Sequence, residues 1–245
     1  LVAEEDQIVT VSHLGYIKRC NPDEWQMQRR GGVGKKGMST RDEDFVTSIF
    51  VANTHSLLLV FTDQGTVFPL HVYDVPAAGR SARGRPIINL VPVPDGERVA
   101  AVVSVRDLDD ESKSLLFVSR LGLIKRIALN KYKNLRSGGM RGYGVGEGDA
   151  LLAVRLMNVD PNEADVMLLT KNGKCLRFPL VKVPESGRTA RGNRGMKLVD
   201  DDVIVDTLVV VAGGVEDDSD EDDVETSDEG EDLVDEYGTT LLTVT

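Results

Sequence analysis

Four stretches of the chain repeat one formula, and this repetition constrains the fold more tightly than any other feature of the sequence. They are IVTVSHLGYIKRC (8–20), LLVFTDQGTVFPL (58–70), LLFVSRLGLIKRI (115–127) and VMLLTKNGKCLRF (166–178). Each has an apolar run, a Ser or Thr, two variable residues, a Gly and a second apolar-basic run. The glycines Gly15, Gly65, Gly122 and Gly173 follow one another at 50, 57 and 51 residues. Val, Ile, Leu, Phe and Thr crowd both sides of each glycine, which predicts two strands joined by a two-residue turn with Gly at its end. The later runs FVTSIFVAN, RVAAVVSV, ALLAVRLM and DVIVDTLVVV supply the remaining strands. No helical period competes. The chain is therefore expected to be all-β, built of four-stranded repeats of about 50 residues. A propeller-like ring of small sheets and an open β-solenoid both fit this pattern, and periodicity alone does not separate them.

The closing TLLTVT matches the start of a fifth hairpin, with Thr245 in the place of Thr170. Residues 1–214 are expected to hold four repeats, 215–238 an acidic disordered insertion, and 239–245 the first strand of a further repeat, cut short. On this expectation the sequence is an excerpt of a longer chain. The net charge of -11 is very unevenly spread: residues 216–236 hold 14 acidic side chains and no Lys or Arg, leaving 26 acidic against 29 basic residues elsewhere. The pI of about 4.8 thus describes a segment, and the remainder carries +3. No apolar run approaches the roughly 18 to 20 residues of a spanning helix, and residues 1–10 lack the pattern of a signal peptide. Cys20 and Cys175 are too far apart in sequence to suggest a disulfide framework or a zinc cluster. A soluble, cytoplasmic protein without membrane contact is expected.

A basic loop follows each hairpin in phase. The loops are QRRGGVGKKG (28–37), GRSARGR (79–85), LRSGGMRG (135–142) and GRTARGNRG (187–195). Counted from the turn glycine, Gly31 lies 16 residues on, Gly84 19, Gly138 16 and Gly192 19. On radially repeated blades, in-phase loops emerge at equivalent places, so their cations form one electropositive track along a rim. Arginine presents planar donors that fit phosphates, and glycine lets backbone N–H groups approach the same oxygens. An extended polyanion, double-stranded DNA, suits that track, bent round it and held without base readout. The candidate DNA-binding residues are Gln28, Arg29, Arg30, Gly31, Gly32, Gly34, Lys35, Lys36, Arg80, Arg83, Arg85, Arg136, Arg141, Arg188, Arg191, Arg194 and Lys197.

Other chemistry is thin. Gly32, Gly34 and Gly37 have dinucleotide-fingerprint spacing, but NPDEWQM precedes and STRDED follows, where a strand and a helix are required. A P-loop needs Lys and then Ser or Thr after its last glycine, and Met38 and Ser39 follow Gly37. His13, His55 and His71 lack ligand spacing. Asp42, Glu43 and Asp44 read as a solvated turn, and GYGVGEG (142–148) as a flexible connection. No catalytic triad can be assembled from sequence order, so neither a catalytic residue nor a metal site is assigned. A propeller-like protein-interaction module, with the loops recognising an acidic partner, is the rival of a different class.

QRRGGVG (28–34) resembles the gyrase box, whose usual form is Gln, a basic residue, Arg, Gly, Gly, a basic residue, Gly. VTVSHLGYIKR, FVANTHSLLLVFTDQGTVF and GRSARGRPIINLVP are similar to the same family, the C-terminal domain of the DNA gyrase A protein, and the resemblance covers residues 5–211. It implies a β-pinwheel of up to six blades that exchange strands and wrap DNA around their perimeter. It also implies partners, the gyrase B protein and the N-terminal part of the A protein, with which the holoenzyme uses ATP and Mg to introduce negative supercoils. No cofactor is implied for this chain, and the isolated domain is expected to be monomeric and non-catalytic. The cleavage tyrosine of the family lies in its N-terminal region, so none of Tyr16, Tyr73, Tyr132, Tyr143 and Tyr237 inherits it. The corresponding domain of topoisomerase IV, whose box is degenerate or missing, is the alternative within the family. Val33 stands where a basic residue is usual, and Lys35 and Lys36 follow at once.

Overall fold

The computed structural model describes residues 2–25, 30, 34, 36–40 and 43–211. The expected acidic insertion and fifth-repeat strand lie outside them, as do Gln28, Arg29, Gly31, Gly32 and Lys35. Repeat one forms β1 (Asp6–Ser12), β2 (Tyr16–Cys20) and β3 (Val46–Asn53). Repeat two forms β4 (Leu57–Thr62), β5 (Thr66–His71), β6 (Arg85–Pro86) and β7 (Val99–Val105). Repeat three forms β8 (Ser114–Ser119), β9 (Leu123–Ala128), β10 (Met140–Arg141) and β11 (Leu151–Met157). Repeat four forms β12 (Ala164–Thr170), β13 (Cys175–Pro179), β14 (Asn193–Arg194) and β15 (Ile204–Val211).

Four small antiparallel sheets result, standing as the blades of a propeller-like body. Their strand orders are β3-β1-β2-β6, β10-β5-β4-β7, β11-β8-β9-β14 and β13-β12-β15. The predicted hairpins and long outer strands are all present. The fourth strand of a blade comes from the basic loop of the next repeat: β6 pairs with β2, β10 with β5 and β14 with β9. Three sheets have the expected four strands, and the fourth has three among the described residues.

The repeated formula has a local cause. Its Ser or Thr is buried at the end of the first hairpin strand, and the hydroxyl accepts the amide of the residue after the turn glycine. These bonds run from Tyr16 to Ser12 at 3.2 Å, Thr66 to Thr62 at 3.0 Å, Leu123 to Ser119 at 3.0 Å and Lys174 to Thr170 at 3.1 Å. The glycine has positive φ and closes a three-residue loop, one longer than expected, of the kind in which a tight turn ends in a left-handed residue. An aspartate braces three of the turns, buried Asp44 accepting from Leu14 N–H and half-buried Asp149 from Leu121 N–H, each at 2.9 Å, and buried Asp202 from Asn172 N–H at 3.1 Å. Asp44 is therefore no solvated turn residue, contrary to the sequence expectation.

Hydrophobic cores lie between successive sheets. Along β4, Leu58 and Val60 face the first blade while Leu59 and Phe61 face the third; along β8, Leu115 and Phe117 face one core and Leu116 and Val118 the next. Burial on both faces explains why these strands read as unbroken apolar runs rather than alternating ones. The expected flexible connection at residues 142–148 is in part packed: Gly142, Tyr143 and Gly144 are buried, and the Tyr143 ring stacks on Phe117 at 5.3 Å. No helix among the described residues is long and apolar enough to cross a membrane.

Candidate functional site

Each basic loop from the second to the fourth is seated on the turn end of the preceding blade. Arg85 stands opposite Ile17, Arg141 opposite Thr66 and Arg194 opposite Leu123. The next amide then closes the seat: Ile87 donates to the Gly15 carbonyl, Gly142 to Gly65 and Gly195 to Gly122, each at 2.8 Å. The three loops are thereby brought to equivalent places on successive blades, with Arg141 and Arg194 opposite the residue after the turn glycine, where the second loop has Pro86 and sets Arg85 one residue earlier.

Two chemistries alternate beneath the loops. On the first blade the Lys18 ammonium, wholly buried, donates to the carbonyls of Gly79, at 2.9 Å, and Arg80. On the third blade the Lys125 ammonium donates to Gly187 and Arg188 at 3.0 Å and Ala190 at 2.5 Å. The arginine after each lysine adds a second clamp, Arg19 Nε donating to Val75 O and Arg126 Nε to Val183 O, both at 2.9 Å. On the second blade Phe68 takes the place of the lysine, and the third loop lies against its ring at Gly139. Burial pushes the Lys18 ammonium below its usual range, the neighbouring Arg80 acting the same way and Cys20 and Glu24 opposing it. Burial lowers Lys125 to about 8. The Tyr143 ring centroid is 4.7 Å from Lys125 Nζ, and burial, with Asp149, raises that phenol to about 12.

The cations above these anchors remain accessible. Arg30, Lys36, Arg85, Arg136, Arg141, Arg191, Arg194 and Lys197 are exposed; Arg80, Arg83 and Arg188 are half-buried. No ion pair among the described residues joins a loop arginine to a carboxylate. Arg83 lies 5.8 Å from the Tyr16 ring centroid and Arg80 lies 6.0 Å from that of Trp25. Arg80 also reaches the first loop, Nη1 donating to Lys36 O at 2.7 Å. Arg188 repeats this toward the third loop, with Nη1 at 3.2 Å from Met140 Sδ and 3.3 Å from Arg141 O. The loops are thus tied in pairs, the second to the first and the fourth to the third.

Sequence reasoning took IKR at 17–19 and 124–126 as parts of strands and missed Lys18, Arg19, Lys125 and Arg126 as anchors. Two signals mark them: the tripeptide occurs in the first and third hairpins only, and the loop offsets alternate 16, 19, 16, 19. Among the described residues, no group of three His, Cys, Asp or Glu side chains is placed to hold a metal ion.

The sequence matches the family described as DNA gyrase C-terminal domain, beta-propeller, over residues 6–53, 56–106, 113–158 and 164–210. The DNA gyrase A protein of Helicobacter pylori is 39% identical over 205 residues, which cover 84% of this chain and 24% of that protein. That of Haloquadratum walsbyi is 40% identical over 207 residues, 83% of this chain and 24% of that one. The chain spans about a quarter of the length of these curated relatives. The crystal structure of the C-terminal domain of DNA topoisomerase IV superposes with a TM-score of 0.69 at 28% identity, over 86% of this chain and 63% of that one.

Proposed function

We propose, from the premise that the chain belongs to the DNA gyrase C-terminal domain family, that it binds duplex DNA along the basic loops and wraps it round the blades. The observation that carries this reading is the row of loop arginines that, among the described residues, have no carboxylate partner, the second to fourth loops each seated at the turn end of the preceding blade. Bending costs on the order of 1–6 kcal/mol over a site of this kind, and the phosphate contacts that each further blade supplies offset it. The DNA-contacting set is Arg30, Gly34, Lys36, Arg80, Arg83, Arg85, Arg136, Arg141, Arg188, Arg191, Arg194 and Lys197, with Gln28, Arg29, Gly31, Gly32 and Lys35 of the box. In the whole protein the wrapped segment is handed to the cleavage machinery that the gyrase A and B proteins form together, where ATP and Mg drive strand passage toward negative supercoiling.

The likeness to the topoisomerase IV domain supports a second reading, in which the loops hold DNA without a wrap that depends on the box. Ligating a nicked circle in the presence of the domain tests both. Wrapping predicts a shift in linking number that grows with protein, and an unchanged distribution sinks it. Arg29→Ala with Arg30→Ala should abolish the shift while leaving simple binding largely intact; a shift that survives favours the second reading.

A further inference from the structure

Lys18 and Lys125 are 0% and 1% exposed, and neither makes an ion pair among the described residues. A buried ammonium without a counter-ion is costly unless its donors are satisfied. An ammonium has three donors and no acceptor, and around Lys125 three main-chain carbonyls meet them. All those carbonyls belong to the loop of the next repeat, as do both that meet Lys18. The fold itself does not demand a cation here, because the second blade builds the same hairpin with Phe68 in that place. The lysines occur where the loop above begins Gly-Arg, and that arginine, Arg80 or Arg188, is the one that reaches across to the neighbouring loop.

We propose that Lys18 and Lys125 are positioning residues of the DNA-binding rim: each ammonium gathers the carbonyls of one loop beneath the surface and so holds Arg80 or Arg188 at the junction of two loops. Drawing the carbonyls inward sets the direction of the peptide units around the arginine, and with it the start of the side chain. The loops then act as two rigid pairs, each keyed by one buried lysine.

The consequence for DNA rests on the wrapping reading; the positioning itself is a property of the free protein, and the two are read separately. Lys18→Met and Lys125→Met keep the length and apolar stem of the side chain and remove the charge. Without DNA, trypsin should cut after Arg188 and Arg191 roughly tenfold faster in Lys125→Met, a modest factor for hydrogen bonds to a charged group. Lys18→Met should do the same after Arg80 and Arg83, and each variant should leave the other loop at its wild-type rate. Equal acceleration of both loops, or none at the loop above the substituted lysine, overturns the proposal. Should either variant fail to fold, the wild type still decides. Tyr143 is the titratable group facing Lys125, and its phenol stays protonated until about pH 12. Amide signals of Thr189 and Arg191 should therefore shift with the same midpoint as the Lys125 Nζ signal, and amides that ignore that titration overturn it. With DNA, each variant should trap fewer superhelical turns than wild type, and undiminished trapping overturns the link from lysine to rim. A wild-type protein that traps none, yet shows the loop-specific cleavage, removes the wrapping reading and leaves the positioning role standing.

Discussion

At Gly84 the backbone has a φ of +83°, and a Cβ built there collides with the Ile17 carbonyl. Gly15, with a φ of +79°, has nothing within 4 Å of the same point. Alanine at either position incurs the left-handed conformational cost of about 1–2 kcal/mol. Gly84→Ala must also push β6 off β2, so urea denaturation should show it less stable than Gly15→Ala by a further 1–3 kcal/mol or so. Equal losses would mean that the loop does not need its close seat. Lys125 supplies a second prediction at this scale, in pH. Burial holds its folded pKa at about 8, against 10.5 unfolded. Between those values the unfolded chain keeps a proton that the folded one has released, so stability rises with pH through this window. The rise amounts to at most ~3 kcal/mol at 1.36 kcal/mol per unit, reduced by the carbonyls that favour the ammonium and by solvent screening, and below about pH 8 the penalty is fully present. Denaturation curves from pH 7 to 10.5 should show that rise in wild type and lack it in Lys125→Met.

At the scale of elements, the difference between what sequence shows and what it hides follows from strand length. The hairpins and the outer strands β3, β7, β11 and β15 run five to eight residues with apolar runs ended by Gly, and the turn glycines mark the register. β6, β10 and β14 have two residues each, too few for any alternation, and half of their residues are Arg. Legible as basic loops, they were illegible as strands, and the exchange between neighbouring repeats came only from family resemblance. The candidate arginines were readable because charge and glycine stand out against strand sequence; Lys18 and Lys125 were not, because a lysine inside an apolar run reads as an outward-facing strand residue. The two anchor chemistries make loop exchange selective. Replacing residues 79–86 by the eight residues 187–194 should be nearly neutral, since GRTARGNR offers Lys18 the same carbonyls. Replacing them by residues 134–141 leaves Lys18 without acceptors and should cost about 3 kcal/mol or more, read from chemical denaturation. Equal stability of the two chimeras would show that the loop classes are interchangeable.

For the whole molecule, what matters is how charge is distributed over distance. The 14 carboxylates of residues 216–236 offset a body that is otherwise weakly basic. If they compete with DNA for the rim, deleting them should tighten binding at low salt, with the gain fading as salt screens it; unchanged affinity counts against competition. Within the body, Arg80 and Arg188 tie the loops into two pairs rather than one uniform track, and on the wrapping proposal this division should separate binding from wrapping. Simple binding should be additive in charge, because each phosphate contact contributes a slope of about 0.9 to the dependence of log K on log salt. Arg80→Ala with Arg83→Ala and Arg85→Ala should therefore lower that slope by up to about 2.7, and Arg188→Ala with Arg191→Ala and Arg194→Ala should do likewise. Wrapping should not be additive, since DNA released from one pair no longer follows the curvature between the two. Either triple variant by itself should then reduce the linking-number shift nearly as far as both together, at protein concentrations that saturate binding. A shift that falls by half in each triple variant, and to zero only when they are combined, would instead describe independent clamps on a continuous rim.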